Sequence, residues 1–210
     1  MDNCVFCNPK IDRGERIHET ENFFVEMGLG VAAPGHVMLI PKFHCDCYAD
    51  MPVSLRPEFK RMKDLVFGKI KEVFGEPFLV EYGITLQSVP HAHLHFIPKR
   101  REATQFYPAY QIENVFSIIG APDGMGAPAS WEAAERFRKE HGGYIFIQDG
   151  AARFFAEFPD DFPSQRFGYR NFFGGKLGIA DVPVHWQEIT ENDLAIDKAK
   201  KDITKKFLKF

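Results

Sequence analysis

Residues 88–99 read SVPHAHLHFIPK, with His91, His93 and His95 at every second position. On an extended chain, residues two apart point to the same side. The stretch therefore lays three imidazoles on one face, while Ala92, Leu94 and Phe96 pack the other face into a core. An apolar face opposite the histidines argues for a strand built into the fold and against a loop. Three of the chain's eight histidines fall within these five residues. They read as a metal site made by the triad itself, as a nucleophile tuned by its neighbours, or as the polar face of an ordinary strand. Chance placement of three histidines in register is rare, which disfavours the last.

The surrounding sequence supplies a sheet for such a strand. ENFFVEMG (21–28) reads as a strand leading into the turn chemistry of GLGVAAPG, and HVMLIPK (36–42) as a short buried strand. The period then changes. Leu55, Phe59, Met62, Val66, Ile70 and Val73 form one apolar stripe on a helix of about five turns, which Gly75 and Pro77 stop. FLVEYG (78–83) and HAHLHFIPK read as two more strands. The first hundred residues are thus expected as β, β, α, β, β, an α+β unit.

The rest has a different texture. GAPDGMGAPAS (120–130) is a Gly/Pro-rich loop, and SWEAAERFRKEHGG predicts a helix capped by Ser130 and ended by two glycines. YIFIQDGAARFFAEF places Asp149-Gly150 between two strand-like runs, a hairpin signal. A last helix is expected from Thr190, with Ile196, Ile203, Phe207 and Phe210 on its packed side. The six lysines of its final thirteen residues are expected to form a solvated face. Two units follow, residues 1–105 and 106–210, the second packed on the first.

At 210 residues, 45% apolar and 26% charged, the chain has the composition of a soluble globular protein. A net charge of −3 gives no global field to draw nucleic acid or anionic membranes, so neither is an expected partner. No basic start followed by an apolar run opens the chain and no window of 18 apolar residues exists, so a cytoplasmic setting is expected. In that setting Cys4, Cys7, Cys45 and Cys47 favour metal or free thiols over disulfides. Cys4 and Cys7 form a Cys-x-x-Cys pair, half of a tetrahedral zinc site. His44, Cys45, Cys47 and His91 are candidates for the other half.

GHVMLIPKFH, followed about fifty residues later by QSVPHAHLHFIPK, resembles the histidine triad (HIT) superfamily of nucleotide hydrolases and transferases. The resemblance covers residues 4 to about 100, and the motif of alternating histidines and apolar residues is matched in full from His91 to Ile97. It implies a HIT-like fold, an antiparallel sheet with a long helix, followed here by a C-terminal α/β extension. It implies that His93 is the nucleophile and that His95 binds and polarises the α-phosphate. Gln87 and Ser88 match the pair that faces the phosphate. In zinc-bearing members the ligands fall on Cys4, Cys7, His44 and His91, which makes the zinc structural. Cys45 and Cys47 lie outside the pattern, as rival ligands or buried thiols. A homodimer, as in the family, is also implied.

Such a site would attack the α-phosphate of a dinucleoside polyphosphate or phosphoramidate, forming a nucleotidyl-histidine that water, or another acceptor in a transferase, then resolves. Two family features are absent. Common members carry an Asp on the first long strand to hold the ribose, whereas VEMGLGVAAPGH has Glu26 two residues early and glycines beyond; VEYG stands where an Asn is usual. GLGVAAPGH and VEYG resemble a bacterial branch with a C-terminal extension, whose Pro-Ser-Gln stretch is similar to FPSQRFGYR, as is the tail of splicing-associated proteins of the CwfJ type. Gln165, Arg166 and Arg170 there read either as polyphosphate contacts or as surface residues. The missing Asp and Asn leave room for a rival reading, a non-catalytic nucleotide- or RNA-binding module; a zinc-organised scaffold for protein contacts is a third.

Overall fold

A computed structural model describes residues 4–12, 14–84, 87–103, 109–113, 127–128, 130–156 and 190–210. Its strands are β1 (Glu15–Glu19), β2 (Phe23–Met27), β3 (Val37–Pro41), β4 (Pro77–Gly83), β5 (Leu94–Pro98), β6 (Arg100–Arg101), β7 (Tyr110–Gln111), β8 (Ala127–Pro128), β9 (Tyr144–Asp149) and β10 (Ala152–Ala156). Helices α1 (Arg56–Phe74), α2 (Trp131–His141) and α3 (Glu191–Phe207) accompany them. One eight-stranded antiparallel sheet runs in the order β1-β2-β3-β5-β4-β9-β10-β8. This is the α+β arrangement that the sequence predicts, an antiparallel sheet with a long helix.

Phe59, Met62, Val66 and Ile70 bury one stripe of α1 against Leu39, Leu79, Leu94 and Phe96. The stripe is shorter than expected, because Leu55 falls at the helix start and Val73 is 39% exposed. On the opposite side of the sheet the register aligns Glu26, Met38, His95, Val80 and Ile147 in one row. Strand β1 is an addition to the expected order. Its sequence, ERIHE, is polar and partly exposed because it pairs with β2 alone, so it carries no apolar signal. The triad also differs: the ladder begins only at Leu94. His91 and His93 precede it on a segment outside the ladder whose amides bond elsewhere, His91 N–H to Val89 O and Ala92 N–H to Cys45 O.

The residues beyond 105 join the same sheet. Five residues of β4 pair with β9, from Leu79↔Gln148 to Gly83↔Tyr144, and β9 turns back into β10 through Gly150 at φ 57°. Ser130 caps α2 by accepting from Ala133 N–H, and Gly142 closes it in the left-handed region. A Thr190–Asp193 capping box starts α3. Its packed side is not the expected one. Asp197, Lys200, Lys201 and Thr204 are buried, whereas Phe207 is 51% exposed. The helix turns its polar face inward because those side chains meet backbone groups of the loop between β2 and β3. Two of the lysines read as solvated are therefore interior. The Gly/Pro-rich stretch, but for its end, and FPSQRFGYR lie outside the described residues. Among the described residues no helix is long and apolar enough to cross a membrane.

Tyr144 of β9 is fully buried and donates its hydroxyl hydrogen to Glu81 Oε2 (2.9 Å), while Glu81 Oε1 accepts from Tyr48 N–H (2.7 Å). Burial pushes the Glu81 carboxyl up from 4.5 to about 7, although both hydrogen bonds pull it down. A carboxyl with a raised folded-state pKa stabilises the fold fully below its unfolded value and loses that contribution as pH climbs through the folded one. At roughly 1.4 kcal/mol per pKa unit, the contribution is about 3 kcal/mol. Urea unfolding of wild type and Glu81→Gln is therefore expected to show a stability difference that shifts against wild type by about that amount between pH 4.5 and pH 8. A constant difference would remove Glu81 as the titrating group.

Candidate active site and metal centre

Each of the three triad histidines has its proton placed by a different partner. His93 is 5% exposed, and its Nδ1 lies 2.6 Å from the carbonyl oxygen of His91. A carbonyl only accepts, so Nδ1 carries the hydrogen and Nε2 keeps its lone pair. Burial holds His93 below the usual histidine pKa, which keeps the ring neutral. His91 does the reverse. Its Nε2–H donates to Pro41 O at 2.9 Å, so its Nδ1 lone pair faces Cys4 Sγ and Cys7 Sγ, each 3.4 Å away.

His95 is set by a residue that sequence reasoning missed. His36 Nε2 lies 3.1 Å from His95 Nδ1, and His36 Nδ1 accepts the N–H of Ala32 at 2.9 Å. A backbone N–H can only donate, so His36 holds its proton on Nε2 and gives it to His95 Nδ1. The proton of His95 is thereby left on Nε2. The available signal was the Gly-His pair just before β3. Gly35 sits at φ 86°, and a Cβ there would stand 2.6 Å from the Phe74 ring, so glycine is required to bring His36 round into this position.

Cys4, Cys7, His44 and His91 each offer a ligand atom, and the four atoms lie within 4.8 Å of one another. His44 contributes Nδ1, 3.5 Å from Cys7 Sγ. A tetrahedral zinc with the usual bond lengths has N···S edges of about 3.5 Å, so the donor set fits that ion in both chemistry and spacing. Burial and the neighbouring Cys4 push the Cys7 thiol up to about 11, a cost that a bound cation reverses. Burial also lowers His91 to about 4, which keeps it in the neutral form a ligand needs. Phe6, between the cysteines, packs its ring 5.5 Å from both His91 and His93.

The other cysteines stand apart from this cluster. Cys47 is buried and donates weakly to Asp50, and burial beside Glu81 pushes it up to about 12 and Cys45 higher still. Both are interior thiols. Gln87 directs its amide nitrogen to Asp46 O (2.6 Å), and Ser88 is exposed beside it, ahead of His91. Glu26 is buried beneath Gly14 with Arg16 Nε 3.8 Å away, and its carboxyl is pushed up to about 8, first by burial and then by Asp12. Gln165, Arg166 and Arg170 lie outside the described residues.

The sequence profile of the HIT domain matches residues 13–102. The adenosine 5′-monophosphoramidase HNT1 of Candida albicans is 32% identical over 114 residues, covering 49% of this chain and 74% of that protein. Zinc finger CCCH domain-containing protein 59 of Oryza sativa is 28% identical over 193 residues, covering 85% of this chain; the match spans only 30% of the rice protein. Among solved structures, a Zn-bound histidine triad family protein from Mycobacterium smegmatis is 25% identical with a TM-score of 0.43, covering 49% of this chain and 78% of that one.

Elemental analysis is expected to find about one equivalent of zinc in the wild type, lost from Cys4→Ser and kept by Cys45→Ser. Metal lost only from Cys45→Ser would overturn this ligand set.

Proposed function

The chain belongs to the histidine triad (HIT) superfamily, and from that premise we propose that it is a nucleotide hydrolase acting through a nucleotidyl-histidine on His93. The observation that carries the reading is the 2.6 Å bond from His93 Nδ1 to His91 O, which leaves Nε2 as a neutral nucleophile. Nε2 attacks the α-phosphorus of a nucleotide conjugate, the bond to the leaving group breaks, and the nucleotide is held as a phosphoramidate on the ring. Water then attacks the same phosphorus and releases a nucleoside monophosphate and the free imidazole. A different acceptor in the second step makes the protein a nucleotidyl transferase.

His95, with its proton on Nε2, is the donor to the phosphoryl oxygens as charge builds on them. Ser88 and Gln87 are the further phosphate contacts, and this role requires the Gln87 amide to leave Asp46 O. The relatives named adenosine 5′-monophosphoramidase favour a nucleoside phosphoramidate as substrate. Cys4, Cys7, His44 and His91 would hold a structural zinc: four protein ligands would leave no position for water, and the N-terminal segment and the His44 loop would be tied to the start of the triad. The proposed partner is thus a nucleotide. A second copy of the chain cannot extend the sheet at β4, whose outer edge β9 occupies.

Incubation with adenosine 5′-monophosphoramidate and a panel of dinucleoside polyphosphates, followed by an alkaline quench, is expected to leave a nucleotide mass on the peptide carrying His93. His93→Gln removes the adduct and lowers turnover by at least about a thousandfold, and His95→Ala lowers kcat by about 10²–10³. Binding of the panel without adduct or product would sink the hydrolase reading in favour of the nucleotide- or RNA-binding module.

A further inference from the structure

The HIT profile ends at residue 102, and α3 lies far beyond it. Its inward face is unusual, since a helix that packs on a domain normally buries an apolar stripe. Here Asp197, Lys200, Lys201 and Thr204 are each at most 4% exposed. Interior charge is costly unless it is paired and hydrogen-bonded. Asp197 and Lys201 form an ion pair of 3.0 Å. Thr204 donates its hydroxyl hydrogen to Lys200 O within the helix (2.9 Å), and Asp197, Lys200 and Thr204 each also reach the loop between β2 and β3.

Val31 N–H donates to Asp197 Oδ1 (2.7 Å) and Gly35 N–H donates to Thr204 Oγ1 (2.8 Å). Lys200 Nζ, between them on the helix, donates to Val31 O (3.1 Å). Arg101 Nη1 donates to Ala32 O (2.9 Å). Residues 197 and 204 are seven apart, so they share one helix face about 10 Å apart, and they hold the loop on either side of Ala32. Val31, Ala32 and Ala33 are almost fully buried, so these backbone groups depend on the partners just named. Ala32 is the residue whose N–H sets the tautomer of His36, and His36 in turn bonds His95.

We propose that Asp197 and Thr204 of α3 are positioning residues for His95: they hold the loop of residues 31–36 so that the hydrogen bonds from Ala32 to His36 and from His36 to His95 keep the His95 proton on Nε2. The C-terminal helix thereby completes the phosphate-binding side of the site without touching substrate. The inference rests on the reading of His95 as the phosphate donor, and it gives residues beyond the HIT domain a part in catalysis. Loss of either anchor lets the loop shift, the Ala32 bond lengthen and the His95 proton exchange between its two nitrogens.

The test uses full-length protein with ¹⁵N-labelled histidine, and ring N–H correlation spectra assigned with His36→Gln and His95→Gln. Wild type is expected to show both rings protonated on Nε2. Thr204→Val keeps the side-chain shape and removes the hydroxyl, and Asp197→Ala removes the other anchor. Each is expected to give His95 a mixed tautomer and to lower kcat on adenosine 5′-monophosphoramidate at least about tenfold with KM little changed. Thr204→Ser is expected to restore both readouts, and Lys198→Ala, on the exposed side of α3, to leave both unaltered. Variants that lower Tm yet keep the wild-type tautomers and kcat would overturn the proposal, as would a wild-type spectrum with the His95 proton on Nδ1. The wild-type spectrum decides even if Thr204→Val fails to fold. A wild type that turns over no nucleotide fails the hydrolase reading, while the spectra still judge this one.

Discussion

A neutral imidazole has one lone pair and one N–H, and everything this site can do depends on which nitrogen holds which. Backbone groups decide the matter throughout. Two carbonyls fix the protons of His91 and His93, and one amide, that of Ala32, fixes His36 and through it His95. Backbone positions are set by the whole fold, so the chemical identity of each ring is a property of the architecture. A ring whose tautomer depended on another side chain would be only as well defined as that side chain's rotamer. Only the His36–His95 step has that dependence, and both rings are buried there.

The same residues connect the proposed metal ligands to the proposed nucleophile. His91 turns Nδ1 to the two thiols and Nε2–H to Pro41 O, while its own carbonyl accepts from His93. A change in the seat of His91 therefore moves the acceptor that fixes the tautomer of His93. Phe6, carried on the loop between Cys4 and Cys7, closes against both rings and adds a steric tie to the electrostatic one. On the proposed reading, an ion held by these four residues would immobilise the His91 carbonyl without contacting substrate.

Much of this was legible in the sequence. Period 3.6 from Phe59 to Ile70, Ser130 and Thr190 as caps and Asp149-Gly150 as a turn are local patterns with local causes, and each has its counterpart in the fold. The resemblance to the HIT superfamily likewise picked out Cys4, Cys7, His44 and His91, four residues that converge in space. What stayed hidden depends on long-range pairing. Strand β1 looks polar because it is an edge. The ladder starts at Leu94 because Cys45 O, 47 residues earlier, takes the Ala92 amide. His36 has no motif of its own, only a place on a loop that curls back to β5.

The largest misreading was α3, and its cause is instructive. Hydrophobic periodicity finds buried faces because most burial is apolar, yet the face of α3 that goes inside carries an acid, two lysines and a threonine. Polar burial of this kind needs compensation group by group, and the required partners are backbone atoms some 170 residues away along the chain. No pattern within α3 could announce them. β9 behaves similarly, as Tyr144 reaches the Glu81 carboxyl on the neighbouring strand β4. β9 and α3 are joined to the HIT-like part by buried polar contacts as well as by apolar packing. Such contacts are directional where a greasy interface tolerates sliding, so they fix a geometry as well as a stability. That is the property an element needs if its task is to hold the backbone that sets a tautomer.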